Sequence, residues 1–359
     1  MIISNYLSKF SYFKDMKISQ LIKLLKQKIL KIIFSSRILL WQYIIYRSYI
    51  YKRNIRKYDN RYRKWKKQNN NEGKRVVFLC EKNNASGGLV DRLRAIVSIY
   101  KTCKEQSLEF KILFNEPFEL SKYLQPNKVD WEINAHDLNY NLNTTNIVNL
   151  GTPTRAKWMA DKQEKWIRKE LKKNFQEFHI ISNTSYSYYY DYSKLFSELF
   201  KPSQHLLKLT QIQKKIIGEE FISVSCRFRD LLNDFNETCP IKANLTHLEQ
   251  EELVNKNIEQ IERLHKQYPN SKILVNSDSI TFLNAAKKKE YTYVIPGNIG
   301  HIDNKKENSG AIHDKTFTDF YMIANAKHVY LLRTGLMFES GFPYAASLIY
   351  NKPFTLIEF

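Results

Sequence analysis

Cysteine is scarce in this chain. Its four cysteines, Cys80, Cys103, Cys226 and Cys239, do not have the short paired spacing of a zinc site. Four cysteines in 359 residues also give no sign of a disulfide framework. The sequence therefore favours a reducing compartment and predicts no metal site.

Long hydrophobic runs are missing as well. Lys31 and Arg37 interrupt the apolar clusters near the start of the chain, so no uncharged stretch approaches the roughly 20 residues that a membrane-spanning helix needs. No compact apolar core is followed by a small-residue cleavage site, which argues against a signal peptide. The fingerprints G-x-G-x-x-G and G-x-x-x-x-G-K-[ST] are also absent, which argues against a dinucleotide-binding turn and a P-loop NTPase.

Acidic residues are rare in the first 75 positions. This segment holds 20 lysines and arginines against three acids, a net charge of +17, so the other 284 residues carry only +4 of the total +21. The basic character therefore belongs to the N-terminal segment, and the rest of the chain has an ordinary charge balance.

The N-terminal segment has the pattern of an amphipathic helix with a lysine-rich face. A second apolar cluster covers Arg37 to Arg53. Three interpretations compete: an anchor that lies on an anionic membrane surface through residues 1–70, a nucleic-acid-binding segment around the basic run from Arg56 to Lys67, and a helix that packs on the body. The sequence favours the membrane surface over nucleic acid. The first helix is predicted from its apolar residues at three- and four-residue steps, Ile18, Leu21, Ile22, Leu25, Ile29 and Ile32.

After a polar linker at residues 68–74, short apolar strands alternate with helical patterns to the end of the chain. This alternation predicts an α/β fold with two Rossmann-like domains and a ligand cleft between them. A helix break at Pro202 marks the boundary. The predicted divisions are a basic segment at residues 1–74, a first domain at residues 75–204 and a second domain at residues 205–359.

The stretch from Phe221 to Phe235 begins as a buried strand and then releases Arg227, Arg229 and Asp230. In an open α/β sheet, the crevice at the carboxyl ends of the strands binds ligands. An arginine there presents a planar fork that suits two phosphate oxygens. The alternative is a salt bridge between one of the two arginines and Asp230.

Polar residues follow other predicted strands in the same way. Gly87 and Gly88 form a tight turn between a strand and a helix, and Asp91 and Arg92 lie in the first turn of that helix. The spacing alone favours a purely structural turn there. Because the carboxyl ends of parallel strands lie at one edge of a sheet, the polar strand ends of the second domain are expected to converge. They are Arg227 and Arg229, Ser277 and Asp278, His301, and Ser340 and Gly341.

Four segments together resemble the fucosyltransferase-like superfamily, whose members have the GT-B fold. The segments are SGGLVDRLRAIVSIY, FISVSCRFRD, ILVNSDSITFL and ESGFPYAASLIYNKPF, in the order that this superfamily has. The resemblance covers residues 75–359 and is greatest to bacterial members that build surface polysaccharides. It implies an inverting, metal-independent transfer from GDP-fucose to a glycan or lipid-linked acceptor, with no cofactor.

The resemblance also implies roles for individual residues. Arg227 matches the arginine that grips the donor pyrophosphate, and Ser340 and Gly341 match the loop that meets the β-phosphate. Asp278 matches an acid near the guanine. The motif with Gly87, Gly88, Asp91 and Arg92 matches the turn that faces the cleft between donor and acceptor.

The chain departs from the family pattern at two positions of one motif. Members often have His-x-Arg-Arg, whereas here Ser225 precedes and Phe228 follows Arg227, so the nucleotide stays open, with His301 as a substitute base-binding residue. An inverting transfer needs a base for the acceptor hydroxyl. Asp234, Glu237 and Asp91 are the candidates, and the sequence does not choose among them.

The sequence thus predicts a glycosyltransferase, a fucosyltransferase in the first instance, held at the cytoplasmic face of a membrane by its N-terminal segment. It would extend a cell-surface glycan. The competing hypothesis is a non-catalytic protein that binds a membrane or nucleic acid and carries a degenerate transferase body.

Overall fold

Two parallel sheets form the framework of the chain. Each has a central strand whose residues are all buried, as is usual in a parallel sheet that is covered on both faces. In the first sheet this strand is Arg75–Cys80, and in the second it is Phe221–Cys226, and all residues of both are buried. The computed structural model describes residue 33 and residues 35–63, 73–81, 87–150, 157–183, 191–235, 245–300 and 310–359.

The helices and strands of the described residues alternate as the sequence predicts. The α-helices are α1 (Arg37–Tyr58), α2 (Leu89–Glu105), α3 (Lys157–Leu171), α4 (Tyr192–Leu199), α5 (Gln204–Ile217), α6 (His247–Gln267), α7 (Ile280–Lys287), α8 (Gly310–Asn325) and α9 (Gly341–Ile349). The strands are β1 (Arg75–Cys80), β2 (Glu109–Phe114), β3 (Leu124–Pro126), β4 (Thr145–Asn149), β5 (Glu177–Ile181), β6 (Phe200–Pro202), β7 (Phe221–Cys226), β8 (Lys272–Ser277), β9 (Thr292–Tyr293), β10 (Val329–Arg333) and β11 (Phe354–Glu358).

The strand orders place the polar strand ends of each half of the chain at one edge of a sheet. The first sheet has the order β2-β1-β5-β4, the second has the order β11-β10-β7-β8-β9, and all pairs in both are parallel. A small antiparallel pair joins β3, which follows β2, to β6, which lies between the two sheets in the chain. The carboxyl ends of β7 and β8 are therefore adjacent, as the sequence predicts.

The two sheets share a hydrophobic core. A single cluster of buried side chains runs from β1 and α2 through α4 to α8 and α9, and a second cluster covers the other face of the second sheet. Tyr123, in the connection before β3, stacks on Phe317 of α8 with ring centroids 4.1 Å apart. The carboxylate of Asp314 accepts hydrogen bonds from Tyr123 Oη at 2.6 Å and Lys122 Nζ at 3.1 Å, and lies 2.9 Å from His205 Nε2. These contacts tie α8 to the first half of the chain.

Helix α1 packs on the body through one face. Leu40 and Ile44 are buried and pack against Met159 of α3, and Ser48 Oγ accepts a hydrogen bond from the backbone N–H of Asn149 at the end of β4. Beyond the helix, the hydroxyl of Tyr62 bonds to Nδ1 of the buried His179. Packing on the body, one of the three interpretations of the N-terminal segment, is thus observed for this face of α1.

The opposite face of α1 is exposed and carries large apolar side chains. Ile38 is 66% exposed, Tyr46 is 61% exposed and Tyr49 is 59% exposed. Within the described residues, no helix combines the length and the apolar character that crossing a membrane requires. The amphipathic helix predicted from Ile18 to Ile32 lies outside the described residues.

Candidate functional site

A cavity of about 200 Å³ lies where residues at the carboxyl edge of the second sheet meet the start of α2; we call it the central cavity. Seven predicted site residues line it, from both halves of the chain. They are Gly88, Asp91, Arg227, Ser277, Asp278, Ser340 and Gly341. Gly87, Arg92, Arg229 and Asp234 are not in its lining. Glu237 and His301 lie outside the described residues.

Arg227 and Asp278 follow two neighbouring strands, β7 and β8, and form an ion pair. Arg227 Nε lies 3.2 Å from Asp278 Oδ2. The Asp278 carboxylate also accepts the backbone N–H groups of Phe228 at 2.8 Å and Arg229 at 2.7 Å. Burial raises the pKa of Asp278, and the Arg227 guanidinium and the two N–H groups oppose this effect. Asp278 therefore holds the loop that carries Arg227. Its predicted role near the guanine stays a prediction.

The Arg227 side chain is fixed in place and still reaches the cavity. Its guanidinium lies over the ring of Phe235, 4.9 Å from the centroid, and the side chain is 22% exposed. The ion pair with Asp278 through Nε fixes the orientation of the planar guanidinium, which has five N–H donors in a fixed fork geometry. Arg227 is thus a cation of fixed orientation at the carboxyl edge of the second sheet.

Arg229 has a different surrounding. Its backbone adopts a left-handed conformation with φ +59°, which is uncommon outside glycine, and its guanidinium lies over the ring of Phe338. The backbone N–H of Phe338 in turn donates to the carbonyl of Arg227 at 2.9 Å. These contacts link the loop after β7 to the segment before α9. The predicted donor-binding role of Arg229 stays a prediction.

Helix α9 begins at the central cavity. Ser340 caps it, with Oγ accepting the backbone N–H of Phe342 at 3.2 Å, and Gly341 is the first helical residue. The first N–H groups of a helix have no partner within the helix, and the helix dipole is positive at this end. Together with Arg227, the start of α9 makes the cavity attractive to a phosphate group.

The glycine turn before α2 is both structural and close to the cavity. Gly87 has φ +82°, and a Cβ atom there would lie 3.2 Å from Cβ of Asn183, so a side chain would be strained and crowded. Asp91 lines the cavity and accepts a hydrogen bond from Arg94 Nη2 at 2.9 Å. Asp91 is the carboxylate that the first half of the chain contributes to the lining.

Arg92 is buried beside the glycine turn. It is only 2% exposed, and its guanidinium donates to the carbonyls of Gly87 at 2.9 Å and Glu116 at 2.8 Å. These contacts give Arg92 a positioning role for the glycine turn, and its predicted contact with the donor stays a prediction.

Asp234 holds the start of α7. Its Oδ2 accepts hydrogen bonds from Ser279 Oγ and from the backbone N–H of Thr281, both at 2.8 Å. The catalytic role predicted for Asp234 stays a prediction. So does that of Glu237, which lies outside the described residues.

The sequence analysis missed a buried ion pair in the cavity. Lys315 and Asp319 lie one turn apart on α8, contact each other and both line the cavity, as does Asn276 at the end of β8. Burial raises the pKa of Asp319, whereas the Lys315 ammonium and a hydrogen bond from Asn276 lower it. Gly297 has φ +130°, and a Cβ there would lie 3.2 Å from Lys315 Cδ, so the chain passes close over the lysine. The available signal was a lysine and an aspartate four residues apart, the spacing at which two side chains meet on one face of a helix.

No group of three or more His, Cys, Asp or Glu side chains that could hold a metal ion occurs within the residues that the structure describes.

Neither a protein-family model nor a curated protein sequence matches this chain. Solved structures do. The crystal structure of NodZ α-1,6-fucosyltransferase soaked with GDP-fucose matches with a TM-score of 0.51 and 13% identity, over 80% of this chain and 95% of that chain. NodZ co-crystallised with GDP matches with a TM-score of 0.50 and 13% identity, over 80% of this chain and 96% of that chain. Fucosyltransferase NodZ from Bradyrhizobium matches with a TM-score of 0.48 and 13% identity, over 78% and 94%.

The chain has the GT-B fold of NodZ. The predicted fold class, α/β with two Rossmann-like parallel sheets, is therefore confirmed. At 13% identity the likeness concerns the fold, and the roles of the residues in the central cavity have to be argued from their chemistry.

Proposed function

We propose that this protein is a glycosyltransferase that binds a GDP-linked sugar, GDP-fucose in the first instance, in the central cavity. The observation that carries the proposal is the meeting of Arg227 and the start of α9 with the buried pair of Lys315 and Asp319 in one cavity. The first two suit a pyrophosphate. The ion pair of Lys315 and Asp319 suits the guanine base. The GDP-fucose and GDP complexes of NodZ, which has the same fold, support this choice of donor.

The choice of guanine rests on the polarity of the pair. The edge of guanine presents an oxygen acceptor, O6, and an amino donor, N2–H₂. Lys315 offers only donors and an ionised Asp319 offers only acceptors, so together they match this edge. Uracil and adenine have no such combination of acceptor oxygen and amino donor. Lys315 and Asp319 would therefore fill the base-binding role for which the family histidine is missing at Ser225.

In the reaction we propose, Asp91 takes the proton of the acceptor hydroxyl as its oxygen attacks the anomeric carbon. The bond from that carbon to the β-phosphate oxygen breaks, its electron pair leaves with GDP, and the configuration inverts. Arg227 and the start of α9 stabilise the negative charge that develops on the leaving phosphate. Asp91 is assigned as base because its carboxylate, although paired with Arg94, lines the cavity and is 22% exposed. The carboxylates of Asp278 and Asp319 are only 2% and 11% exposed, and Asp234 is not in the lining.

We also propose that the exposed face of α1 binds an anionic membrane surface, at the cytoplasmic face, where it would meet a lipid-linked acceptor for a cell-surface glycan. The apolar side chains of Ile38, Tyr46 and Tyr49 would enter the headgroup region. Arg47 and Arg53 are exposed on the same helix and would contribute about 1 kcal/mol each at such a surface.

The donor site is tested with Arg227→Ala. GDP should raise the melting temperature of the wild-type protein, because a ligand of the native state stabilises it, and should raise that of the variant much less. GDP-fucose hydrolysis should fall in parallel. The control is Arg263→Ala, an exposed arginine on α6. A full GDP response in Arg227→Ala would refute the phosphate-binding role, and a wild-type protein that responds to no nucleotide would favour the non-catalytic hypothesis.

A further inference from the structure

A cavity of about 770 Å³, larger than the central cavity, lies along β2, the outermost strand of the first sheet; we call it the edge groove. Its outer wall is the segment 131–139, which pairs with β2 through the N–H of Ile112, bonded to the carbonyl of Trp131 at 2.7 Å. None of the predicted site residues lines it. Small-molecule sites usually have volumes of about 300–1,000 Å³, and the volume of the groove is in this range.

We propose that the edge groove binds an uncharged or amine-bearing oligosaccharide, as the acceptor subsite of this enzyme. The assignment to the acceptor rests on the proposed function. The choice of an uncharged or amine-bearing glycan rests on the charge, the polarity and the position of the groove.

The groove is acidic in a strongly basic protein. Five carboxylates and two cations line it, which leaves a charge of −3 in a chain of +21. Both cations are already ion-paired, Arg75 with Glu177 and Lys111 with Asp130 at 2.9 Å. Such a field repels phosphates, nucleic acid and acidic sugars and attracts ammonium groups. The carboxylates are Glu109, Glu119, Glu132, Asp137 and Glu177.

The lining also has the mixed polarity that a sugar requires. The amides of Asn115 and Asn134 both donate and accept hydrogen bonds, as sugar hydroxyl groups do, and both residues are exposed. The half-buried apolar side chains of Ile133 and Ala135 also line the groove and can pack against the C–H faces of a pyranose ring.

The groove and the central cavity are joined through Arg92. Its guanidinium bonds to the carbonyl of Gly87, next to Gly88 in the central cavity, and to the carbonyl of Glu116, next to Asn115 in the groove. It also lies over the ring of Phe114, 5.6 Å from the centroid. One buried side chain therefore links the chain next to the one site with the chain next to the other, and in the proposed complex the end of a glycan in the groove points toward Asp91.

The test compares three tetrasaccharides, uncharged maltotetraose, amine-bearing chitosan tetramer and anionic tetragalacturonate, by titration calorimetry with the full chain. We expect the first or second to bind, and the third to bind at least tenfold more weakly. Asn134→Trp, which fills the groove, and Glu132→Lys, which reverses its charge, should each weaken binding at least tenfold. The matched controls are Lys128→Trp and Glu259→Lys, at exposed positions outside the groove.

The melting shift with GDP separates this proposal from the proposed function. Groove variants that keep the GDP shift and lose the oligosaccharide support the groove as a separate subsite. Equal binding of the anionic tetramer, binding that the groove variants do not weaken, or no binding of any tetramer would overturn the proposal. A wild-type protein that binds a tetramer in the groove but shows no GDP shift would count against the proposed function alone.

Discussion

Arg227 directly follows β7 and Asp278 directly follows β8, and these two strands are paired in parallel. The two side chains form an ion pair, with 3.2 Å between Nε of Arg227 and Oδ2 of Asp278. Asp278 also binds two backbone N–H groups of the loop after β7. The loop, the orientation of the arginine and the cavity mouth therefore depend on one buried carboxylate.

Replacing that carboxylate should cost both stability and donor binding. Asp278→Ala removes the carboxylate that pairs with Arg227 and accepts the N–H groups of Phe228 and Arg229, and breaking a buried pair in this way costs about 3–5 kcal/mol. Urea unfolding measures the free energy of unfolding. Glu252→Ala, which removes an exposed pair with Lys256, serves as the control and should change it by less than about 1 kcal/mol. Equal stability of the two variants would show that Asp278 does not organise the loop.

The pair of Lys315 and Asp319 should determine the preference for the base. Lys315→Met leaves a buried carboxylate without its cation, so we expect a loss of about 3–5 kcal/mol in stability, and the double variant Lys315→Met with Asp319→Leu should be more stable than this single variant. Melting shifts with GDP, UDP and ADP measure the preference. The double variant should lose the larger response to GDP, and a retained GDP preference in a folded double variant would argue against this pair as the base site.

Asp91 is expected to act in the chemical step and not in donor binding. Removing a general base lowers turnover by about 10²–10⁴. We expect Asp91→Asn to lower GDP release from GDP-fucose, with water as acceptor, by this factor while the melting shift with GDP is kept. Asp161→Asn, at an exposed position on α3, is the control. Unchanged hydrolysis by Asp91→Asn would return the role of base to Asp234 or Glu237.

Asp314 should make the packing between the two halves of the chain sensitive to acid. Burial would raise the pKa of Asp314, but the hydrogen bonds from Tyr123, His205 and Lys122 hold it below the usual value. A lowered pKa in the folded state stabilises the protein above the unfolded pKa of about 4, and this stabilisation is lost as the pH falls through the folded value. Asp314→Asn should therefore be less stable than wild type at pH 7, and the difference should shrink below about pH 4. Urea unfolding at pH 7, 5 and 3 measures it, and a difference independent of pH would contradict this role.

The exposed face of α1 should govern binding to anionic vesicles. Tyr46→Ser with Tyr49→Ser removes two large side chains that would enter the headgroup region, so binding to phosphatidylglycerol–phosphatidylcholine vesicles should weaken by about tenfold or more. Sedimentation with the vesicles measures this. The matched control is Ile212→Ser with Ile216→Ser, which removes two exposed apolar side chains from α5. If both double variants sediment like wild type, the face of α1 is not a membrane contact.

The alternation of strands and helices, and the residues at the strand ends, could be predicted from the order of residues along the chain. Sequence periodicity is local, so β7 and β8 could be predicted, and with them Arg227, Ser277 and Ser340 as polar residues of the carboxyl edge of the second sheet. These residues converge because the carboxyl ends of parallel strands lie at the same edge of a sheet. That α9 begins at Gly341, directly after Ser340, came only from the structure.

The tertiary structure alone decided the partners of these residues. The pairing of β7 with β8 brings Asp278 to Arg227, the rotation of α8 turns Lys315 and Asp319 inward, and the bend of the chain after β2 turns Arg92 toward Glu116. The wall of the edge groove, at residues 131–139, likewise depends on contact with a distant strand. The contacts of Arg227 with Asp278 and of Arg92 with Glu116 join residues far apart in the chain. No local pattern encodes them, because they arise only when sheets and helices pack together.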